Sequence, residues 1–319
     1  MSTNETPGEW AGLGMSDKIN VIAIDIGGGT TKLALVDRRG AIRNWQSFPT
    51  AAPSAADFID KVVAAGCQLR AEAGEPVAGI SVAVAGFVDA EGVLEYNSNL
   101  PWLEGTAISA LLTERLCLPV HVDADSNAAC VAEYIFGQGR GTDRFLCLTG
   151  GTGLGVGMMA EGKLLRIAHG CLGDAGHIII VPNGPACTCG GHGCAEALLS
   201  TASLALRYAQ ICRQPENDFR ALVENSERGD PQARGLLQEA GKWLGVAAAS
   251  LANIFLPDRI VIAGGLSQAG DSLFASALES FCAHGGRFPL ARASLLRATT
   301  GEHATLLGAA ACFFYPELL

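Results

Sequence analysis

Apolar runs alternate with short turns along most of this chain. An apolar run over residues 21–26 predicts a strand, which three glycines break and which resumes over 32–36. A turn at 37–40 leads into a third segment over 41–48. Apolar runs of about four to eight residues bounded by turn residues are typical of strands. We therefore predict three strands joined by tight turns.

The same pattern returns later in the chain. A strand over 144–149 precedes the turn Gly150-Gly-Thr-Gly153, and further strands are predicted over 155–159 and 163–167. Gly27 and Gly150 are 123 residues apart, and the two segments align without a gap. A period this long indicates a duplicated domain rather than a solenoid repeat.

Helical patterns alternate with further strands in the rest of the chain. Strands are predicted over 77–85, 120–123 and 259–263, and helices over 55–73, 107–116, 127–136, 231–255 (one helix or two), 271–284 and 304–314. Such alternation predicts α/β layers with ligands at the carboxyl ends of the strands. We expect an α/β protein with two such domains flanking a cleft.

Glycine turns after predicted strands are candidate phosphate sites. Asp25-Ile-Gly-Gly-Gly-Thr-Thr-Lys32 puts a carboxylate before a turn whose backbone N–H groups can cradle phosphate oxygens. Asp25 could hold Mg²⁺ through water, and Lys32 is either a phosphate partner or an outward strand residue. Thr149-Gly-Gly-Thr-Gly153 and Gly264-Gly265 are further candidates. Each alone can be an ordinary turn, but two facing turns in a duplicated frame could clamp a polyphosphate.

A second group of carboxylates lies in Asp123-Ala-Asp125-Ser-Asn127, between a predicted strand and a predicted helix. Asp125 or Ser126 could simply be the helix N-cap. Alternatively, a carboxylate at a strand end facing a cleft could act as a general base for phosphoryl transfer to a hydroxyl. The nearby segment Asn97-Ser-Asn99-Leu-Pro-Trp102 offers amides and an aromatic ring for sugar hydroxyls, or is only a polar turn.

Three cysteines occur in Cys187-Thr-Cys-Gly-Gly-His-Gly-Cys194-Ala-Glu196, ten residues after His177. Three thiolates and an imidazole are the ligand types of a closed tetrahedral zinc site. The glycines let the loop turn tightly enough for the sulfur atoms to converge. His192, inside the loop, is an alternative to His177 as the fourth ligand.

Composition narrows the class of protein. The chain has 319 residues, 49% of them hydrophobic, and a net charge of −10, which argues against a nucleic-acid or anionic-membrane surface. The chain has 11 cysteines, an odd number, and the eight outside the loop are scattered, which does not suggest a disulfide framework. Residues 1–16 lack the apolar core of a signal peptide, and no stretch is long enough to span a bilayer. We expect a cytoplasmic protein.

Taken in order, these motifs resemble those of the ROK family of sugar kinases and repressors, within the actin- and hexokinase-like ATPase superfamily. The resemblance runs from Asn20 to nearly the end of the chain, and C-x-C-G-x-x-G-C-x-E is its most specific motif. It implies two duplicated actin-like (ribonuclease H-like) domains, with a zinc knuckle in the second. We predict a disordered leader (1–18), a small domain (19–122 plus a C-terminal helix at about 303–319) and a large domain (123–302).

The resemblance also implies a function and a site. It implies transfer of a phosphoryl group from ATP to a sugar hydroxyl, usually O6, with Asp125 as the base, in a homodimer or homotetramer. The implied sugar contacts are Gly86, Asn99, Asp125, Asp174, His177 and Glu196. Around ATP and Mg²⁺ we place Asp25, Gly27, Gly28, Lys32, Gly150, Gly151, Thr152, Gly153, Gly264 and Gly265. The implied zinc ligands are His177, Cys187, Cys189 and Cys194.

Three positions depart from the family pattern, and all lie in the implied sugar pocket. Ala124 stands where an asparagine is usual, Asp174 replaces a glutamate, and Gly86-Phe87 replaces a Gly-Pro-like turn. These changes predict that the substrate is a less common hexose or an amino sugar.

Other functions remain as alternatives. A ROK repressor binds sugar but reads DNA through an N-terminal domain, and the 24 residues before Asp25 are too few for one. A silent sugar sensor would have no need of Asp125, and a polyphosphate-dependent enzyme should have more basic residues near the glycine turns. A zinc hydrolase needs an open coordination position, which three thiolates and a histidine would close.

Overall fold

The computed structural model describes residues 19–214, 218–290 and 292–319. The leader predicted over 1–18 lies outside the described residues. The first half of the chain contains β1 (Asn20–Ile26), β2 (Thr30–Asp37), β3 (Ile42–Pro49), α1 (Ala55–Glu72), β4 (Val77–Val84), β5 (Phe87–Val88), β6 (Leu94–Tyr96), α2 (Ile108–Leu116) and β7 (Val120–Ala124).

The second half begins with a helix and is richer in helices. Its elements are α3 (Asp125–Phe136), β8 (Arg144–Gly150), β9 (Leu154–Ala160), β10 (Lys163–Leu164), α4 (Ala195–Leu199), α5 (Thr201–Cys212), α6 (Phe219–Glu227), α7 (Pro231–Phe255), β11 (Arg259–Gly264), α8 (Gly270–His284), α9 (Arg287–Leu290), β12 (Ser294–Arg297) and α10 (Ala304–Phe314).

Within the described residues the strands form two five-stranded sheets of the same topology. The first has the order β3-β2-β1-β4-β7 and the second β10-β9-β8-β11-β12. In each sheet three antiparallel strands are extended by two parallel ones. Strands β5 and β6 pair separately as a small hairpin. The predicted duplication is therefore confirmed, strand by strand.

Local sequence explains where these elements begin and why they are buried. Strands β1 and β4 lie at the centre of the first sheet and are apolar on both faces. Helix α1 begins after Ser54, whose side chain accepts a hydrogen bond from the backbone of Asp57. Helix α7 begins after Asp230, which caps two backbone N–H groups, with Pro231 in the first turn.

Two helices, α3 and α10, lie between the sheets. Helices α1 and α2 cover one face of the first sheet and α10 the other. Helices α7 and α8 cover one face of the second sheet, while α3 packs on its opposite face. A β-carbon on Gly308 of α10 would stand only 1.8 Å from the carbonyl oxygen of Ala128 on α3. This glycine therefore allows the two central helices to cross closely.

Several predicted elements differ from those observed. The strand predicted over 163–167 ends at Leu164, because the chain then closes a tight loop in which the N–H of Ile167 bonds to the carbonyl of Cys171. Helix α3 begins two residues earlier than predicted, and α7 is one helix of 25 residues. The short strands β5, β6 and β12 and helices α4 to α6 were not predicted, although α5 and α6 are amphipathic. The domain boundaries remain predictions.

Candidate active site

One cavity of about 440 Å³ lies where the carboxyl ends of central strands from both sheets meet. Its lining includes every residue predicted to bind sugar or nucleotide. These are Asp25, Gly27, Gly28, Lys32, Gly86, Asn99, Asp125, Gly150, Gly151, Thr152, Gly153, Asp174, His177, Glu196, Gly264 and Gly265. The fold thus brings residues from distant parts of the sequence to one place, and their individual roles remain to be proposed.

The two predicted glycine turns face each other across this cavity. A β-carbon on Gly28 would lie 3.2 Å from Cβ of Asn99 and 3.8 Å from Oγ1 of Thr152, which belongs to the second turn. Gly264 has φ +69° and approaches the backbone of Gly150, where a β-carbon would be 2.6 Å from the carbonyl oxygen. The close approach requires glycine there.

Asp25 lies at the end of β1, opposite Lys32 on β2. Its carboxylate is 3.8 Å from Nζ of Lys32. Burial raises the pKa of Asp25 to about 7, with Asp125 adding to the rise and Lys32 opposing it. A buried carboxylate with a raised pKa, beside a glycine turn, is suited to a site that a cation occupies.

Asp125 is the first residue of α3, and Ala124 is the N-cap. The alternative in which Asp125 or Ser126 caps the helix is therefore wrong. Burial raises the pKa of Asp125, while a hydrogen bond from the backbone of Ser126 opposes the rise. A carboxylate with a raised pKa at the edge of a cavity has the properties of a general base.

Asp123, two residues earlier, has the opposite environment. Its oxygens accept hydrogen bonds from Arg166 at 2.5 and 3.1 Å and from Nδ2 of Asn127 at 2.7 Å. Burial would raise its pKa, but these donors and the His121 contact at 3.5 Å outweigh it, and the pKa falls to about 2. Arg166 and Asn127 both also donate to the carbonyl of Gly170. Asp123 thus anchors the start of α3.

His177 stands between two carboxylates and the cysteine loop. Its Nε2 is 3.7 Å from Oδ2 of Asp174 and 3.9 Å from Oε1 of Glu196, while its Nδ1 is 3.5 Å from Sγ of Cys187. Burial and Glu196 raise the pKa of Asp174, against the opposing effect of His177. One imidazole can therefore face a metal with one nitrogen and the cavity with the other.

The donor atoms of His177, Cys187, Cys189 and Cys194 all lie within 4.8 Å of one another. Sγ of Cys189 is 3.7 Å from Sγ of Cys194. A tetrahedral zinc site with bonds of about 2.3 Å to sulfur and 2.0 Å to nitrogen has ligand separations of about 3.6–3.8 Å. Two separations are close to these values: 3.7 Å between the sulfur atoms of Cys189 and Cys194, and 3.5 Å between Nδ1 of His177 and Sγ of Cys187. His192 is exposed and lies outside the group.

Glu196 is fixed in the cavity by neighbours that the sequence did not indicate. Its Oε2 accepts from the N–H of Leu154 at 3.0 Å, and its Oε1 from Oγ1 of Thr188 at 3.1 Å. A β-carbon on Gly153 would be 2.7 Å from Oε2. The glycine turn of the second sheet is therefore in direct contact with this carboxylate.

Four residues of the cavity were not predicted from the sequence, and one aromatic candidate lies outside the cavity. Gln268, Gly301, Glu302 and Thr305 line it near Gly264 and Gly265. They follow strands β11 and β12, so their position after strand ends was the only available signal. The ring of Trp102 was one candidate for contact with a sugar, with a simple polar turn as the alternative. It packs edge-on against Phe58 in the core of the first sheet. Its aromatic ring is therefore structural.

No helix in the described ranges is both long and apolar enough to cross a membrane.

Comparisons with protein families, with sequences of characterised proteins and with solved structures all match most of the chain to the same family. Residues 21–314 match the ROK family. The chain is similar to the glucokinase of Streptomyces coelicolor, with 31% identity over 310 residues, 91% of this chain and 96% of the relative. It is similar to the solved ROK family glucokinase from Streptomyces griseus in complex with glucose and AMPPNP, with 31% identity, a TM-score of 0.81, and coverage of 91% and 98% of the two chains.

A regulator also matches, over a shorter region. The N-acetylglucosamine repressor of Escherichia coli is 29% identical over 210 residues, which are 63% of this chain and 51% of the repressor.

Proposed function

The chain belongs to the ROK family and has the actin-like ATPase fold of ROK sugar kinases, and from this we propose that it is a sugar kinase. The proposed reaction transfers the γ-phosphoryl group of ATP to a hydroxyl, most simply O6, of a hexose or an amino or N-acetyl hexose. The observation that carries the proposal is the position of Asp125. Asp125 is the first residue of α3 and lines the same cavity as the two glycine turns and His177.

Asp125 acts as the general base in this proposal. It accepts the proton of the sugar hydroxyl while that oxygen bonds to the γ-phosphorus and the bond to the leaving ADP oxygen breaks. The raised pKa of Asp125 makes it a better proton acceptor than an ordinary aspartate. Asn99, Asp174, His177 and Glu196 are proposed to orient the sugar, with the backbone at Gly86 beside them.

The nucleotide is proposed to lie between the facing turns. Backbone N–H groups around Gly27, Gly28 and Gly150–Gly153 would hold phosphate oxygens, and Gly264 and Gly265 would lie on the adenosine side. Mg²⁺, held near Asp25 through water, would neutralise charge that develops on the transferring phosphoryl group.

The cysteine loop is proposed to hold a structural zinc ion. His177, Cys187, Cys189 and Cys194 would be its four ligands, closing the coordination shell. The ion would fix the His177 ring, so that Nε2 faces the sugar alongside Asp174 and Glu196. It would thus shape the sugar pocket without taking part in the reaction.

The charge of the cavity favours ATP over inorganic polyphosphate as donor. Among the described residues that line it, Lys32 is the only lysine or arginine, whereas Asp25, Asp125, Asp174, Glu196 and Glu302 bring carboxylates. A long polyanion would be repelled by these carboxylates unless basic side chains compensated for them. We propose a nucleotide donor that carries Mg²⁺ with it.

The sugar itself is proposed to be a less common hexose or an amino sugar. Asp174, which lines the cavity, is one methylene shorter than the usual glutamate. Ala124, which is buried and does not line the cavity, lacks the amide of the usual asparagine. The test is ADP release with Mg-ATP against glucose, mannose, allose, fructose, glucosamine, kanosamine, N-acetylglucosamine and N-acetylmannosamine, with polyphosphate as a second donor. One strong substrate other than glucose is expected. A clear preference for glucose would contradict the proposed sugar specificity but not the proposed kinase activity.

Asp125→Asn tests the base directly. Loss of a general base should lower kcat by about a hundred- to ten-thousand-fold while sugar affinity changes little. Asp271→Asn is a matched control, because that aspartate is 98% exposed and lies outside the cavity. Full turnover by Asp125→Asn would refute the assigned role.

A second candidate is a non-catalytic sugar-binding regulator, which the partial match to a repressor favours. It predicts sugar binding with no ADP release from any member of the panel. In either case we propose a cytoplasmic homodimer or homotetramer that binds neither nucleic acid nor membrane.

A further inference from the structure

The chain crosses between the two sheets at two places, and both crossings border the cavity. The first leads from β7 of the first sheet to α3, at Asp125. The second leads from β12 of the second sheet to α10, which packs on the first sheet. This second crossing includes Thr299, Thr300 and a short 3-10 helix over Gly301–His303. Its residues Gly301 and Glu302 line the cavity.

Glu133 of α3 holds the second crossing in place. It is fully buried. Its Oε1 accepts hydrogen bonds from the backbone N–H of Thr299 at 2.9 Å, from that of Thr300 at 2.8 Å and from Oγ1 of Thr300 at 2.6 Å. Its Oε2 accepts from the N–H of Gln138 at 2.8 Å. One carboxylate thus satisfies backbone donors that precede a helix start, where such groups lack partners within the helix.

Gly137 leaves space for the buried carboxylate of Glu133. A β-carbon on Gly137 would lie 2.1 Å from Oε2 of Glu133, so the glycine makes room for the carboxylate. A buried carboxylate is costly unless hydrogen bonds satisfy it, and here donors from two chain segments do so. These hydrogen bonds therefore connect α3 specifically to the segment that contains Thr299 and Thr300.

The same helix carries the proposed base. Asp125 and Glu133 are eight residues apart on α3, about 12 Å along a straight helix. Asp125 lies beside the sugar pocket, whereas the segment held by Glu133 lines the cavity near Gly264 and Gly265. One rigid element therefore sets the distance between the base and the nucleotide side.

We propose that Glu133 is a positioning residue for the nucleotide, a role that rests on the proposed function. Through Thr299 and Thr300 it fixes the crossing segment against the adenosine side of the cavity. Of the proposed sugar contacts, Asp125 begins α3 eight residues before Glu133. The others lie outside α3: Gly86, Asn99, Asp174, His177 and Glu196. Weakening the hydrogen bonds between Glu133 and the crossing segment therefore weakens nucleotide binding and leaves sugar binding unchanged.

Thr300→Val tests the proposal with little risk to folding. It removes the hydroxyl donor at 2.6 Å, keeps the shape of the side chain and leaves both backbone hydrogen bonds to Glu133. Calorimetric titration of the full chain with Mg-AMPPNP should show affinity weakened by about ten- to hundredfold, as expected for one hydrogen bond to a charged group. Affinity for the best sugar should stay within about twofold, and KM for ATP should rise more than kcat falls.

Three further variants complete the experiment. Thr300→Ser keeps the hydroxyl and should restore nucleotide affinity to within about twofold of the wild type. Glu133→Gln keeps one acceptor oxygen but brings an amide N–H toward the N–H of Gln138, so its nucleotide affinity should also fall. Thr113→Val, an exposed position on α2 outside the cavity, controls for the threonine-to-valine change.

The outcomes separate this proposal from the kinase proposal. If Thr300→Val lowers the melting temperature but leaves nucleotide affinity unchanged, Glu133 is merely structural and the inference is overturned. Parallel losses of sugar and nucleotide affinity would overturn it too. If the wild-type chain binds no Mg-AMPPNP at all, the proposed function fails first and this inference with it.

Discussion

Two aspartates separated by one residue show how environment, not residue type, decides a role. Burial would raise the pKa of both aspartates, but His121, Arg166 and Asn127 hold that of Asp123 at about 2. Asp125 lacks such partners, and its pKa is raised. The sequence motif predicted that a base lies here, and the resemblance selected Asp125. No local pattern could reveal Arg166, because it is 43 residues away and reaches Asp123 only through the fold.

At the same scale, Asp25 leads to a pH prediction. Its pKa of about 7 means that the carboxyl is protonated below neutral pH in the free protein. A bound Mg²⁺ favours the charged form, so binding of Mg-AMPPNP should release a proton below about pH 7. Affinity should rise with pH up to that point, by at most about tenfold per pH unit for one proton, and then level off.

Asp25→Asn supplies the comparison for this prediction, because the nucleotide itself also titrates in this range. Calorimetry at pH 6 in two buffers of different ionisation enthalpy measures the protons released. The variant should release about one proton fewer than the wild type. Equal proton release by both proteins would show that Asp25 does not face the cation.

At the scale of elements, tight turns were predicted well and short elements poorly. The two glycine turns and their strands appear where the apolar pattern placed them, because both faces of a central strand must be apolar. The loop after β10 could not be predicted, because Arg166 turns toward Asp123 instead of continuing the sheet. Helix α4 has only five residues, too few for a periodic pattern. Helices α5 and α6 do have an apolar face, and the prediction missed them.

The cysteine loop leads to a prediction about metal content. Cys189→Ser should lose zinc, measured by atomic absorption, and should lower the melting temperature by at least about 4 °C, which corresponds to about 2 kcal/mol for a domain of this size. Sugar affinity should fall as well, because the His177 ring is no longer fixed. Cys67→Ser, an exposed cysteine on α1, should change neither zinc content nor stability. An unchanged zinc content in Cys189→Ser would exclude it as a ligand.

At the scale of the whole molecule, the duplication explains why one cavity collects residues from both halves. Each sheet contributes a glycine turn at the end of its first strand, and the two turns meet because α3 and α10 hold the sheets together. The 123-residue repeat predicted the paired sheets. It could not predict the crossing of α3 and α10, because helix pairs that pack through small residues leave no periodic signal of their partner.

Gly308 at that crossing provides the last prediction. In Gly308→Ala the new β-carbon would stand 1.8 Å from the carbonyl oxygen of Ala128, a backbone atom that cannot rotate away. The helices must separate, so the free energy of unfolding should fall by about 1–3 kcal/mol, and binding of sugar and nucleotide should both weaken.

Gly235→Ala on α7 is the matched control, because its β-carbon would meet nothing within 4 Å. Replacing a glycine inside a helix should there raise stability by about 0.5–1 kcal/mol. Urea denaturation measures both changes, and equal stability of Gly308→Ala and the wild type would mean that the close crossing does not join the two halves.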